Sequence, residues 1–359
     1  MNRHAPFIAL LCAATPFVRA QDEGVTHTMP DPKHAAHEAL SQYVGTWHCK
    51  MTVPAMPGQQ GMEEPTEYEV TETGELLCNG IWLKWTSECV SNGKVVQGLW
   101  LVGYDPFAKK YTSFCLDGEN GMTAELDGSY DASKKSWSWS GKSEMGSMTS
   151  EVTLEDADTM VEVVRMTPHG ASEPITMTMT RKRAKTAAAS ASRGAHAIPA
   201  DLPAEQKELL KLVGEWDAVV KMAVDPTQPA SEEKGSERVT AVCNHRFVWS
   251  DFRGTMMGQP FEGHCVIGFD PVNKQYVSYW FDSMSPTWSK STGKSSAENL
   301  TLEGSFLCPL GTPMTMKEVI TWKDADTREA RMEFSGEHGT QKLEVTYRRK
   351  GGAGDKADK

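Results

Sequence analysis

Val44-Gly45-Thr46-Trp47 recurs as Val213-Gly214-Glu215-Trp216, and this pair of stretches decides the fold. The signals that follow each stretch repeat in the same order. Cys78-Asn79 returns as Cys243-Asn244, and Gly103-Tyr104-Asp105-Pro106 as Gly268-Phe269-Asp270-Pro271. Lys109 and Tyr111 return as Lys274 and Tyr276, and Asp156-Ala157-Asp158-Thr159 as Asp324-Ala325-Asp326-Thr327. The offsets, 165 to 169 residues, are nearly constant, so the chain of 359 residues carries two homologous domains. Each copy has about 145 residues, ample for a buried core.

A short helix precedes each Gly-x-Trp. Asp31 reads as a cap and Pro32 as the first residue of a helix that Gly45 ends. Asp201 and Pro203 open the second helix, Glu205 to Leu212, which Gly214 stops. Everything after each helix reads as strands. Alternation of period two is clear in Ile175 to Thr180, in Met314-Thr315-Met316, and in Trp137 to Ser140 against Leu300 to Glu303. Turn signals such as Ser91-Asn92-Gly93-Lys94, Asp105-Pro106 and Asp131-Ala132-Ser133 fall every 8–12 residues. About ten short strands per copy with short connections predict an antiparallel meander, which closes on itself to remove its edges. The expected fold is all-β: two tandem antiparallel up-and-down β-barrels, each preceded by a short helix.

Residues 1–20 read as a signal peptide: a basic start at Arg3 and His4, an apolar stretch from Pro6 to Phe17, and a cleavage site after Ala20. A polar leader (21–31), the first barrel (32–183), an Ala- and Ser-rich linker (184–200), the second barrel (201–350) and a tail (351–359) complete the expected order. The expected location is therefore periplasmic or secreted. No later apolar run approaches the ~20 residues a helix needs to span a bilayer. Cleavage leaves seven cysteines, of which only Cys78 and Cys243 are duplicated, and none forms a C-x-x-C motif. The formal net charge of −11 argues against nucleic acid and anionic membrane surfaces, both of which are bound through Lys and Arg.

Gly-x-Trp on the first strand and Arg on the last resemble the calycin or lipocalin pattern. That resemblance implies an Arg over each Trp: Arg181 or Arg183 with Trp47, and Arg348 or Arg349 with Trp216. Each copy also resembles the domain-of-unknown-function 1579 family. The second copy carries it best, in Leu212 to Trp216, Arg246-Phe247-Val248, Gly258 to Gly263, Gly268-Phe269-Asp270, Tyr276-Val277-Ser278, Trp280 and Asp282. In the first copy Gly80-Ile81-Trp82 replaces the Arg-Phe pair. The resemblance implies the fold and attaches no activity to it.

Candidate chemistry is sparse. No histidine is duplicated. His34 and His37 lie three apart but lack a third partner, so no metal site is expected. His264, on a predicted strand, suits heme ligation as in the calycin-like nitrobindins; heme is the alternative to the expectation of no cofactor. Met177 with Met179 and Met314 with Met316 read as barrel filling rather than copper ligands. Asp117 and Asp282 are duplicated and each follows an aromatic strand; no second carboxylate is duplicated at a readable spacing from them, so no acid–base pair is expected.

The leading expectation is a binding protein, not an enzyme, that holds a small apolar molecule in one or both barrels. Trp85, Trp100, Trp249, Trp280 and Trp288 are its expected wall, with Asp117, His264 and Asp282 as polar contacts. The first alternative is a structural or interaction module with filled cores. The second is an enzyme with its site at the mouth of the second barrel, around Asp282 and His264.

Overall fold

The computed structural model describes residues 31–351, apart from 56–63, 92, 144–145, 186–197, 224–230, 257, 297, 309–310 and 338. The expected signal peptide, nearly all of the leader and the tail, and most of the linker lie outside the described residues. The chain divides into two compact units, each built on one closed barrel of ten antiparallel strands.

In the first barrel the strands are β1 (Gly45–Val53), β2 (Thr66–Leu77), β3 (Trp82–Ser91), β4 (Lys94–Asp105), β5 (Lys110–Asp117), β6 (Thr123–Asp131), β7 (Ser136–Ser143), β8 (Gly146–Asp156), β9 (Thr159–Pro168) and β10 (Ile175–Arg183). In the second they are β11 (Gly214–Ala223), β12 (Ser231–Val242), β13 (Phe247–Met256), β14 (Gln259–Asp270), β15 (Gln275–Asp282), β16 (Ser289–Ser295), β17 (Asn299–Leu307), β18 (Pro313–Trp322), β19 (Thr327–Gly336) and β20 (Gly339–Arg349). Each strand pairs with its sequence neighbours, and β1 with β10 and β11 with β20 close the rings. This is the expected up-and-down meander, and closure leaves no edge. Among the described residues no helix is long and apolar enough to cross a membrane.

The repeated residues turn out to be the scaffold's joints. Trp47 and Trp216 are buried at one end of their barrels and donate Nε1–H to the carbonyls of Tyr43 (3.0 Å) and Leu212 (2.9 Å). The Gly two residues before each Trp has φ of +118° (Gly45) and +144° (Gly214). At a φ of +144° an L side chain is strained, which favours glycine at 214, and a Cβ there would also push against Arg349 Nη1 at 2.3 Å. Asp105 Oδ1 accepts from the Phe107 and Ala108 amides, and Asp270 Oδ1 from those of Val272 and Asn273. Asp156 and Asp324 cap their turns in the same way. These carboxylates repeat because tight turns need an acceptor for their free amides.

The helices differ from expectation. The first is a 3-10 helix, Ala35–Tyr43, capped by His34 rather than Asp31. The Ala36 amide donates to His34 Nδ1 and the His34 amide to His37 Nδ1, so this pair serves the helix start. The second is an α-helix, Ala204–Leu209, running into a 3-10 turn, Leu210–Leu212; no side chain caps it.

Candidate functional site

The inner faces of the two barrels are built from equivalent positions with different residues. In the first, Trp47, Trp85, Tyr111 and Trp137 form the buried cluster, with Tyr43, Trp100, Tyr104, Tyr130 and Trp139 packed against it. Trp137 meets Tyr111 at 4.5 Å and Tyr130 at 4.6 Å between ring centroids, so aromatic rings fill this interior. The register relates each ring to its counterpart in the second barrel. Trp85 pairs with Trp100 where Ser250 pairs with Cys265. Trp137 and Trp139 pair with Tyr130 and Gly128 where Leu300 and Leu302 pair with Ser295 and Gly293. Five rings thus give way to Ser250, Cys265, Ser295, Leu300 and Leu302. The reverse exchange puts Trp280 where the first barrel has Cys115.

The second barrel accordingly contains a cavity of about 240 Å³. Toward its mouth the lining is Met256, Phe261, Met284, Phe306, Met314 and Phe334. Deeper lie Ser250, Cys265, Ser278, Ser291, Glu318 and Tyr347, above a floor of Leu212, Ile320 and the Glu237–Arg328 pair. Met314 and Met316 both face this lumen.

Each barrel buries one guanidinium beside a repeated glutamate. In the first, Arg181 grips Glu72 in a bidentate pair (Nε–Oε2 2.6 Å, Nη2–Oε1 3.1 Å) and reaches Glu162 at 2.7 Å. Burial works against its charge, but the two glutamates more than offset this and raise its pKa. In the second, Arg328 pairs with Glu237, which also accepts from Ser250 Oγ at 2.5 Å. Glu72 and Glu237 sit opposite Trp47 and Trp216 across the sheet. They are a further duplicated carboxylate, this one inside each barrel, which the sequence reading lacked. The missed signal was their equal spacing, six residues before Cys78 and Cys243.

The arginines over the tryptophans are Arg183 (4.0 Å from the Trp47 ring) and Arg349 (4.1 Å from Trp216). They also donate to helix-end carbonyls, Arg183 to Gln42 and Arg349 to Val213 and Lys211. Arg181 points instead into the first barrel, and Arg348 is exposed on the outer face. Strand alternation puts Arg349, not Arg348, on the side of Trp216.

The expected wall residues divide. Trp280 and Asp282 line the second lumen. Trp85 and Trp100 fill the first interior rather than wall a cavity. Trp249 and His264 alternate with the lumen-lining Val248, Ser250 and Cys265, so they project from the outer face. Trp288 packs edge-on against Tyr279 and is not part of the lining either. His264 stacks on Phe281 at 5.0 Å, with its ring nitrogens 2.8 Å from Asp251 and 3.1 Å from Glu262. It is not placed to ligate a heme in the lumen, and no histidine is among the lining residues. Asp117 and Asp282 share the inward face with Tyr111 and Tyr276, yet both cap turns. Asp117 accepts from the Glu119 amide at 2.7 Å; Asp282 accepts from Met284, Ser285 and the Trp280 indole at 2.7–2.9 Å. Burial raises the Asp282 pKa against these donors.

Among the described residues Cys49, Cys78, Cys89, Cys115, Cys243 and Cys265 form no disulfide. Burial raises the pKa of Cys49, Cys115, Cys243 and Cys265, which keeps them protonated and inert.

A family model matches residues 32–183 and again 202–349, the two barrels. The chain belongs to the family described as Protein of unknown function (DUF1579). Both DUF1579 copies are complete barrels, so the family unit is the barrel with its preceding helix. No curated protein matches the chain in sequence. Among solved structures, Rv2717c from M. tuberculosis is 16% identical, with a TM-score of 0.35 over 42% of this chain and 99% of its own. The S-type phycobiliprotein lyase CPES from Guillardia theta is 9% identical, with a TM-score of 0.32 over 44% of this chain and 96% of its own.

Proposed function

We propose that this is an exported binding protein whose second barrel holds one small, mainly apolar molecule. The observation that carries the reading is the cavity of about 240 Å³, rimmed by Met and Phe, with polar groups gathered in its depth. An apolar cavity of about 150 Å³ is enough to hold benzene, so a ligand somewhat larger than one ring fits here. A mostly apolar lining with a few convergent polar groups is the ordinary make-up of a small-molecule site. The ring-filled first barrel supports a structural role for that copy alone.

Titration of the intact protein with octan-1-ol tests this, read by calorimetry and by the change in total tryptophan emission, to which Trp280 in the lumen contributes. Saturable binding with one site is expected. Ser250→Trp with Cys265→Trp, which restores the residues of the first barrel, is expected to weaken it at least about tenfold, a loss of about 1.4 kcal/mol. Absence of binding by the parent protein, with no small molecule found by mass spectrometry of a solvent extract, would refute the reading. Export has its own check: the N-terminus of the mature protein is expected at Gln21, and a retained Met1 would refute it.

A further inference from the structure

One carboxyl in the second lumen has no counterpart in the first. Glu318, on β18, shares the inward face with Met316 and Ile320, and the register sets it between Leu302 on β17 and Met332 on β19. Its equivalent in the first barrel is Ser150, which bonds Glu162. Among the described residues Glu318 takes part in no hydrogen bond or ion pair, and the carboxyl borders the cavity. A lone carboxylate in an apolar enclosure is costly until it is paired or protonated.

We propose that the molecule held in the second barrel carries a basic nitrogen, which it sets against the Glu318 carboxylate. This deepens the lumen-binding reading and rests on it. The groups that face Glu318 leave that role to a ligand. On β19, Arg328 is committed to Glu237 on β12. On β17 the register neighbour is Leu302, with Leu300 beside Ile320. β13, β15 and β16 present Ser250, Ser278 and Ser291 to the same lumen. Cys265 on β14 and Tyr347 on β20 also line it, both pushed up to about 12 by burial and therefore neutral at physiological pH. Asp282 at the rim adds a further acidic group. Glu237, Glu318 and Asp282 thus outnumber the single guanidinium, which disfavours an anionic head group and favours a cation.

Burial also pushes the Glu318 carboxyl up to about 7. The sign of the pH dependence follows. An alkylammonium pairs with the ionised carboxylate, so its affinity rises as pH rises through about 7; an alkyl carboxylate repels that form, so its affinity falls.

The intact protein is titrated calorimetrically with octylamine, octan-1-ol and octanoate at pH 5.5, 7 and 8. Octylamine is expected to bind most tightly at pH 8, roughly 30-fold tighter than at pH 5.5, as one protonation at about 7 dictates. Glu318→Gln is expected to lower octylamine affinity at pH 8 by about tenfold or more and to flatten its pH profile. A melting temperature of the variant within about 3 °C of the parent's shows the barrel intact. If octan-1-ol binds but octylamine gains nothing from rising pH, or keeps its affinity in the variant, the head-group inference is overturned and lumen binding stands. If none of the three probes binds and the solvent extract holds no small molecule, both readings fall.

Discussion

Arg181→Met is expected to destabilise the first barrel by about 3–5 kcal/mol at neutral pH. The guanidinium is buried between Glu72 and Glu162, within 2.6–2.7 Å of both carboxylates. Methionine has a similar length and fills the space, so packing changes little. What remains is two buried carboxylates without a cation, and the desolvation of unpaired charge dominates the cost. Adding Glu72→Gln and Glu162→Gln to the variant is expected to recover most of the loss, because no buried charge is then left. For a unit of this size the effect amounts to roughly 2–4 °C in Tm per kcal/mol, which calorimetry resolves. A single-variant cost below about 1 kcal/mol would show that the pair is not a structural tie.

Trp216→Ala carries an effect of similar size by another route. The ring is 1% exposed and is stacked by Arg349 at 4.1 Å, with Arg328 at 4.6 Å. Truncation removes the plug at one end of the second barrel and is expected to cost about 3–5 kcal/mol. It also strips both guanidinium groups of their aromatic contact. Trp216→Phe keeps an aromatic face and should lose clearly less. Amide exchange measured peptide by peptide is expected to accelerate along β11 and β20, which flank the ring. Unchanged protection there would show that the plug is dispensable.

The architecture could be read from the sequence because the devices that build it are local. Asp-Pro turns, Gly-x-Trp and regular strand spacing each act within a few residues, and each appears twice. Which side of the wall a residue faces was harder to read. In β13 the four residues Phe247, Val248, Trp249 and Ser250 are all buried, so the strand shows no alternation, and Trp249 was assigned to the wrong face. His264 shares that difficulty on β14, where its outward position follows only from the register with Asp251. The floor charges were hidden for another reason. Glu237 and Arg328 meet across 91 residues of chain, and nothing local marks either as a partner. Glu318 stands where the first copy has Ser150, so the repeat carries no mark of it.

The buried guanidinium is also supplied from different strands in the two barrels. Arg181 on β10 occupies the register position of Tyr347 on β20, while Arg328 on β19 occupies that of Met160 on β9. The positive charge has moved one strand around the ring and still meets the same glutamate. Its address is therefore set by the cylinder's geometry, not by a place in the linear order of residues. Two members of such a lineage can preserve an interaction while an aligned column of their sequences records its loss. Ancestry traced by columns would score this barrel floor as diverged, whereas a comparison of interior coordinates would score it as kept.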